Sequence, residues 1–282
     1  MIGQFLLAFR ETLEAALIIS IILAYLNRTG RKRLFSYSLY GVYIAIAASL
    51  AVGAVVWFLF GGLSGPLKAL FEGIAAVIAV FVLSSMIVWM ARKGRGIRKE
   101  LERALEAVVA RNAIMAVVGF SFVVVFREGL ETVLFLTPFM AEDATGTLVG
   151  AGLGIAVSLI LAYAMFVFGM KLNIGRFFFV TSILLVLLAG GLIGYGVHEL
   201  LEYSKDVGVE TGWLGSYAYV LDIPESNLLH HKGIVGSVLA VMFGYTVKAE
   251  WLRLIAHFCY LVGALPLVML VYKKSVPKTR QN

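Results

Sequence analysis

Two stretches of this 282-residue chain carry charge inside otherwise apolar runs, and they carry it in the same pattern. Phe9-Arg10-Glu11-Thr12-Leu13-Glu14-Ala15-Ala16-Leu17 matches Phe126-Arg127-Glu128-Gly129-Leu130-Glu131-Thr132-Val133-Leu134 at six of nine positions, three of them ionisable. On a helix, glutamates three residues apart share a face with about 4.5 Å of rise between them. Each arginine stands four residues before the second glutamate, within reach of it. Four glutamates against two arginines leave a formal −2, which a bound cation would complete. Carboxylates without cysteine or histidine form a hard-ligand set, suited to ferric iron, manganese, magnesium or calcium and unsuited to copper(I). Ferrous iron would neutralise the site and ferric iron would exceed it by one, so charge alone leaves the cation open. Anionic substrates are excluded.

The elements that position these charges must be membrane helices. Apolar residues make up 61% of the chain and charged residues 15%. The mean hydropathy is +0.92. A soluble core of this size cannot hide so much apolar surface, so lipid serves as solvent. A single cysteine, Cys259, excludes a disulfide framework and a cysteine-based metal centre. Met1-Ile2-Gly3-Gln4 offers no basic n-region, which reads as a retained first helix and not a cleaved signal.

Apolar stretches of about 20 residues give seven spans, approximately 3–26, 37–60, 67–91, 113–137, 148–170, 177–201 and 251–272. Residues 233–247 are also apolar, but short and interrupted by glycine, and read as an interfacial or re-entrant segment. Arg98–Arg111 has helical charge spacing and predicts a short amphipathic helix in the 92–112 linker.

The basic residues set the orientation. Arg28, Arg31, Lys32 and Arg33 fall in the first loop, and Arg92, Lys93, Arg95, Arg98, Lys99, Arg103 and Arg111 in the third. Lys171, Arg176, Lys273, Lys274, Lys278 and Arg280 complete a set of 17 of the 24 Lys and Arg residues on one side. The positive-inside rule then predicts an outer N-terminus and a cytoplasmic C-terminus. The net charge of +7 is thus a topology signal, and nucleic acid is excluded as a partner.

Three spans separate the two motifs, so their helices run in opposite directions. That is the mark of an inverted repeat, spans one to three against four to six, with a site where the halves meet. The expected organisation is one domain over 1–282: repeat one 1–91, linker 92–112, repeat two 113–203, outer loop 204–250 and a seventh span 251–272. Both motifs fall near the midplane. A charge there costs about 2.5–3.5 kcal/mol, so six would cost about 15–20 kcal/mol if nothing offset them. A purely structural ion pair would need neither two matched copies nor the residual −2.

The doubled motif resembles the R-E-x-x-E signature of the oxidase-dependent iron transporters, which include the fungal high-affinity iron permeases and the bacterial Efe-type permeases. The likeness runs through Phe71-Glu72-Gly73, Ser85-Met86-Ile87-Val88-Trp89-Met90 and the run from Leu188 to Glu199. It covers essentially the whole chain. The resemblance implies an all-α multi-pass permease of the plasma membrane that imports iron. Glu11, Glu14, Glu128 and Glu131 would be its metal-binding glutamates, with Arg10 and Arg127 in support. It implies iron as transported substrate, no permanently bound cofactor, and as partner a multicopper oxidase or periplasmic iron-handling proteins.

Other residues carry weaker chemistry. Glu72 lies near the outer start of span three and either snorkels or lines an entrance. His198, Glu199 and Glu202 end span six, with His198 and Glu202 on one face, as an outer relay or as ordinary helix-end residues. Asp222, Glu225, His230 and His231 would form at most an acidic funnel. Met86 and Met90 read as packing, and the Gly150/Gly154 and Gly190/Gly194 pairs as close helix contacts. Another hard cation such as manganese or lead, or a proton-coupled carrier, would use the same carboxylates. An intramembrane enzyme lacks a base and oxyanion donor at one depth, His257 having no partner motif. A haem protein lacks paired axial histidines.

Overall fold

In lipid every backbone polar group must be satisfied within the chain, and apolar runs of this length solve that as helices. The computed structural model describes residues 1–93, 97–110, 114–168, 174–224, 227–230 and 233–274. Its helices are α1 (Ile2–Arg28), α2 (Phe35–Gly61), α3 (Pro66–Lys93), α4 (Ile97–Ala110), α5 (Ile114–Glu142), α6 (Ala144–Phe168), α7 (Ile174–Asp206), α8 (Ile234–Phe243) and α9 (Trp251–Lys274). Arg95, Arg111, Lys171, Glu225, His231, Lys232, Lys278 and Arg280 lie outside the described residues.

Among the described residues, five helices are long and apolar enough to cross a membrane: α2, α3, α6, α7 and α9. Helices α1 and α5 match them in length, but any membrane-length window of either takes in the three ionisable residues of its motif. The chain is a multi-pass membrane protein and almost wholly helical. The exception is a pair of short antiparallel strands, β1 (Tyr217–Val220) and β2 (Lys248–Glu250). The apolar segment at 233–247 resolves into α8, closed by Gly244 in the left-handed region at φ 65°. One boundary moves: α5 continues through Pro138 to Glu142, so only Asp143 separates it from α6. Asp143 Oδ1 accepts from the Gly146 N–H at 2.9 Å, capping the new helix.

The helices form two compact units. One holds α1 from Gln4 onward, α2, α4, α5 and α6. Within it α2 lies against α5 and α6 against α1, so the helix that follows each motif helix packs on the other motif helix. A Cβ on Gly41 would run into the Val118 carbonyl, and one on Gly129 into Ser49. On the other side, a Cβ on Gly154 would lie 2.5 Å from Phe5 O and 2.8 Å from Phe9 N. Small residues let these backbones approach, as lipid-embedded helices require. Ser38 and Ser121 share a hydrogen bond at 2.8 Å, and Ser158 Oγ donates to Phe9 O at 2.6 Å. Helix α4 is amphipathic, as its charge spacing predicts. Its Leu105 joins Ile18, Ile22, Tyr25, Leu26 and Val117 in a buried cluster, while Glu102 pairs with Arg28 at 3.2 Å.

The second unit holds α3, α7, α8, α9 and the strands. Gly73 and Gly196 face each other across α3 and α7, each about one Cβ from the other's carbonyl oxygen. Gly190 of α7 meets Leu261 and His257 of α9. Ser84–Tyr260 at 2.8 Å and Ser182–Tyr272 at 3.0 Å tie α9 to α3 and α7. Met86 and Met90 are buried on α3 as packing. His257 is also buried, its Nδ1 2.7 Å from Gly190 O, which accounts for it structurally.

Candidate metal centre

Both motifs lie in the same unit, on α1 and α5. Each is preceded by aromatic residues at matching positions: Phe5 stacks on Phe9 at 5.8 Å, and Phe122 on Phe126 at 5.1 Å. The repeat therefore extends one helical turn before the charges, a signal present in the sequence at i and i+4 and easily overlooked among apolar residues.

Arg10 is 1% exposed and bridges its own motif, with guanidinium nitrogens 3.1 Å from Glu11 Oε1 and 3.0 Å from Glu14 Oε1. Arg127 donates through Nε to Glu131 Oε1 at 2.8 Å, yet its side chain is 48% exposed. The copies match in sequence but not in burial. One arginine is locked between two carboxylates, and the other stays open to its surroundings.

Across the two helices, Glu11, Glu128 and Glu131 each offer a carboxylate oxygen within 4.8 Å of the others. Oε2 of Glu11, of Glu128 and of Glu131 is buried with no hydrogen-bond partner among the described residues. Burying such oxygens is costly unless a cation takes them up. Three of the four motif glutamates thus converge; Glu14 pairs with Arg10, as Glu11 also does.

The second unit gathers the other ionisable residues singled out in the sequence. Buried Glu72 accepts from Tyr195 Oη at 2.7 Å, with Lys68 Nζ 3.5 Å away. His198, Glu199 and Glu202 each present a ligand atom within 4.8 Å of the others. The sequence reading missed Glu250, which β2 delivers to this cluster. Glu250 is 1% exposed, and its Oε1 lies 3.0 Å from His198 Nδ1. Burial pushes its pKa up, but the hydrogen bond and charge of His198 outweigh that and hold it below the usual carboxylate value. The available clue was the alternating, aromatic Tyr217-Ala218-Tyr219-Val220, which reads as a strand needing a partner.

Residues 1–271 match the iron permease FTR1 family. A protein of Archaeoglobus fulgidus, described only as uncharacterized, is 46% identical over 95% of this chain and 94% of its own length. The ferrous iron permease EfeU of Yersinia pestis is 33% identical over 96% of this chain and 94% of its own. EfeU of Escherichia coli O6:K15:H31 is 33% identical over 94% of each. No solved structure matches the chain. The EfeU relatives are permeases and not enzymes, and with residues 1–271 matched the chain belongs to the iron permease FTR1 family.

Proposed function

We propose that this protein imports ferrous iron across the plasma membrane through one carboxylate site assembled from its two R-E-x-x-E motifs. The observation that carries the reading is the convergence of Glu11, Glu128 and Glu131 within 4.8 Å, in surroundings that leave a buried oxygen of each without a hydrogen-bond partner. The relatives named ferrous iron permease support the oxidation state. So does the charge count, since a divalent ion cancels the formal −2 of four glutamates and two arginines.

On this reading α1 and α5 also span the membrane, giving seven spans in an inverted 3+3 repeat plus α9, with the N-terminus outside. The site lies near the midplane. Carboxylate oxygens replace the ion's hydration shell as it enters, and access alternates between the two faces. Arg10 holds Glu11 and Glu14 in fixed rotamers and limits the negative charge of the site between transport cycles. Arg127 does the same for Glu131 from a more open position. Periplasmic iron-handling proteins would supply ferrous iron on the side opposite the basic loops.

The test is uptake of radiolabelled iron into cells or proteoliposomes. Glu131→Ala and Glu128→Gln should abolish uptake while the protein remains at normal level in the membrane. Normal uptake by both variants overturns the assignment of the site. Manganese uptake that iron does not compete with overturns the assignment of the cargo.

A further inference from the structure

The end of α7 places an imidazole and two carboxylates together, and a fourth side chain stands behind them. His198, Glu199 and Glu202 present ligand atoms within 4.8 Å of one another. The His198 ring is used asymmetrically. Its Nδ1 is 3.0 Å from Glu250 Oε1, whereas its Nε2 is turned to the Glu202 carboxylate at 4.0 Å. An ionised carboxylate only accepts hydrogen bonds, so Nδ1 carries a proton toward Glu250 and Nε2 is the ring nitrogen left to meet a cation. With a metal in place of any Nε2 proton, the cluster offers one imidazole nitrogen and two carboxylates.

Glu250 is the independent indication that this is a built site. It is 1% exposed, it arrives from β2 some fifty residues away in sequence, and its Oε2 has no hydrogen-bond partner among the described residues. A buried carboxylate on the far nitrogen of a histidine is the arrangement that fixes the tautomer and orientation of metal-binding imidazoles and raises their basicity.

We propose that this cluster is a second cation site, in which His198 Nε2, Glu199 and Glu202 take a divalent transition-metal ion and Glu250 orients the imidazole. One nitrogen and two carboxylate ligands favour divalent transition-metal ions, ferrous iron and manganese among them, over soft copper(I). The site uses different helices and side chains from the motif site and does not depend on that reading. Its place at the end of α7 suits an ion in transit, held where His198 and Glu202 are partly exposed.

The experiment is a titration of the purified full-length protein in detergent with Mn²⁺, read by electron paramagnetic resonance and by pulsed detection of nitrogen coupling. Two ions should bind per chain, one of them coupled to an imidazole nitrogen. His198→Gln should abolish the nitrogen coupling and one bound ion, and Glu202→Gln, altering an exposed side chain, should remove the same ion should His198→Gln fail to fold. Glu250→Gln should weaken the nitrogen-coupled ion about ten- to hundredfold and leave the other unchanged. Glu128→Gln should remove the uncoupled ion and keep the coupled one. Absence of nitrogen coupling in the wild type, or its persistence in His198→Gln, overturns the proposal. So does unchanged affinity of the coupled ion in Glu250→Gln, which leaves Glu250 a structural role only. Loss of the coupled ion in His198→Gln with no loss in Glu128→Gln would sustain this site and refute the motif site.

Discussion

Arg127 Nε and Glu131 Oε1 are 2.8 Å apart in an ion pair whose arginine is half exposed, whereas the equivalent Arg10 is sealed between Glu11 and Glu14. Removing one partner of a buried ion pair strands an uncompensated charge and costs about 3–5 kcal/mol. Arg127 is half open to its surroundings, so less is stranded when it is removed. Arg10→Ala should therefore lower the thermal unfolding midpoint in detergent far more than Arg127→Ala. Equal shifts would show that the burial difference has no energetic weight.

The four motif glutamates should separate into two classes. Glu11, Glu128 and Glu131 converge, and Glu14 is engaged by Arg10. Glu14→Gln should then behave as the loss of a supporting group, weakening Mn²⁺ binding at the motif site about tenfold. Glu128→Gln removes a ligand and should abolish measurable binding there. Isothermal titration of both variants checks the order, and a larger loss with Glu14→Gln would reverse the assignment.

Close backbone approach makes a separate prediction about Gly41. A Cβ there collides with the Val118 carbonyl, while Gly152 has nothing within 4 Å. Overpacking costs about 1–3 kcal/mol, so Gly41→Leu should reduce the yield of folded, monodisperse protein and Gly152→Leu should not. Size-exclusion profiles of the two variants in detergent are sufficient to compare them.

Tyr195 and Glu72 join α7 to α3 through one hydroxyl, 2.7 Å from the carboxylate. Tyr195→Phe leaves a buried carboxylate oxygen short of a donor, at a cost of about 1–3 kcal/mol. Adding Glu72→Gln should recover part of that loss, because the neutral amide is cheaper to leave unpaired. A double-mutant cycle on thermal stability measures the coupling, and strict additivity would show that the two groups do not interact.

Much of this protein is written in local pattern. The lipid environment admits few backbone solutions, so a run of apolar residues becomes a helix wherever it is long enough. The seven expected spans each coincide with a helix to within a few residues, and the linker helix forms as its charge spacing predicts. The motif residues were legible for a similar reason. Charge inside an apolar helix is expensive, and its repetition at fixed spacing stands out against that background. The i,i+4 pairing of Arg10 with Glu14 and of Arg127 with Glu131 follows from helix geometry alone.

The rest depended on how helices meet. Periodicity cannot say that α2 lies on α5 and α6 on α1, since any of these apolar faces could pack on another. It could not assign Glu11, Glu128 and Glu131 to one cluster while giving Glu14 to Arg10, nor bury Arg10 and expose Arg127. Glu250 was invisible for a further reason. It reaches His198 through a short strand outside the apolar runs, placed by its pairing with β1, where Tyr217 stands opposite Glu250. The sequence determined which charges enter the helices and on which turns. The crossing of those helices, and one strand pair beside them, decided which charges meet.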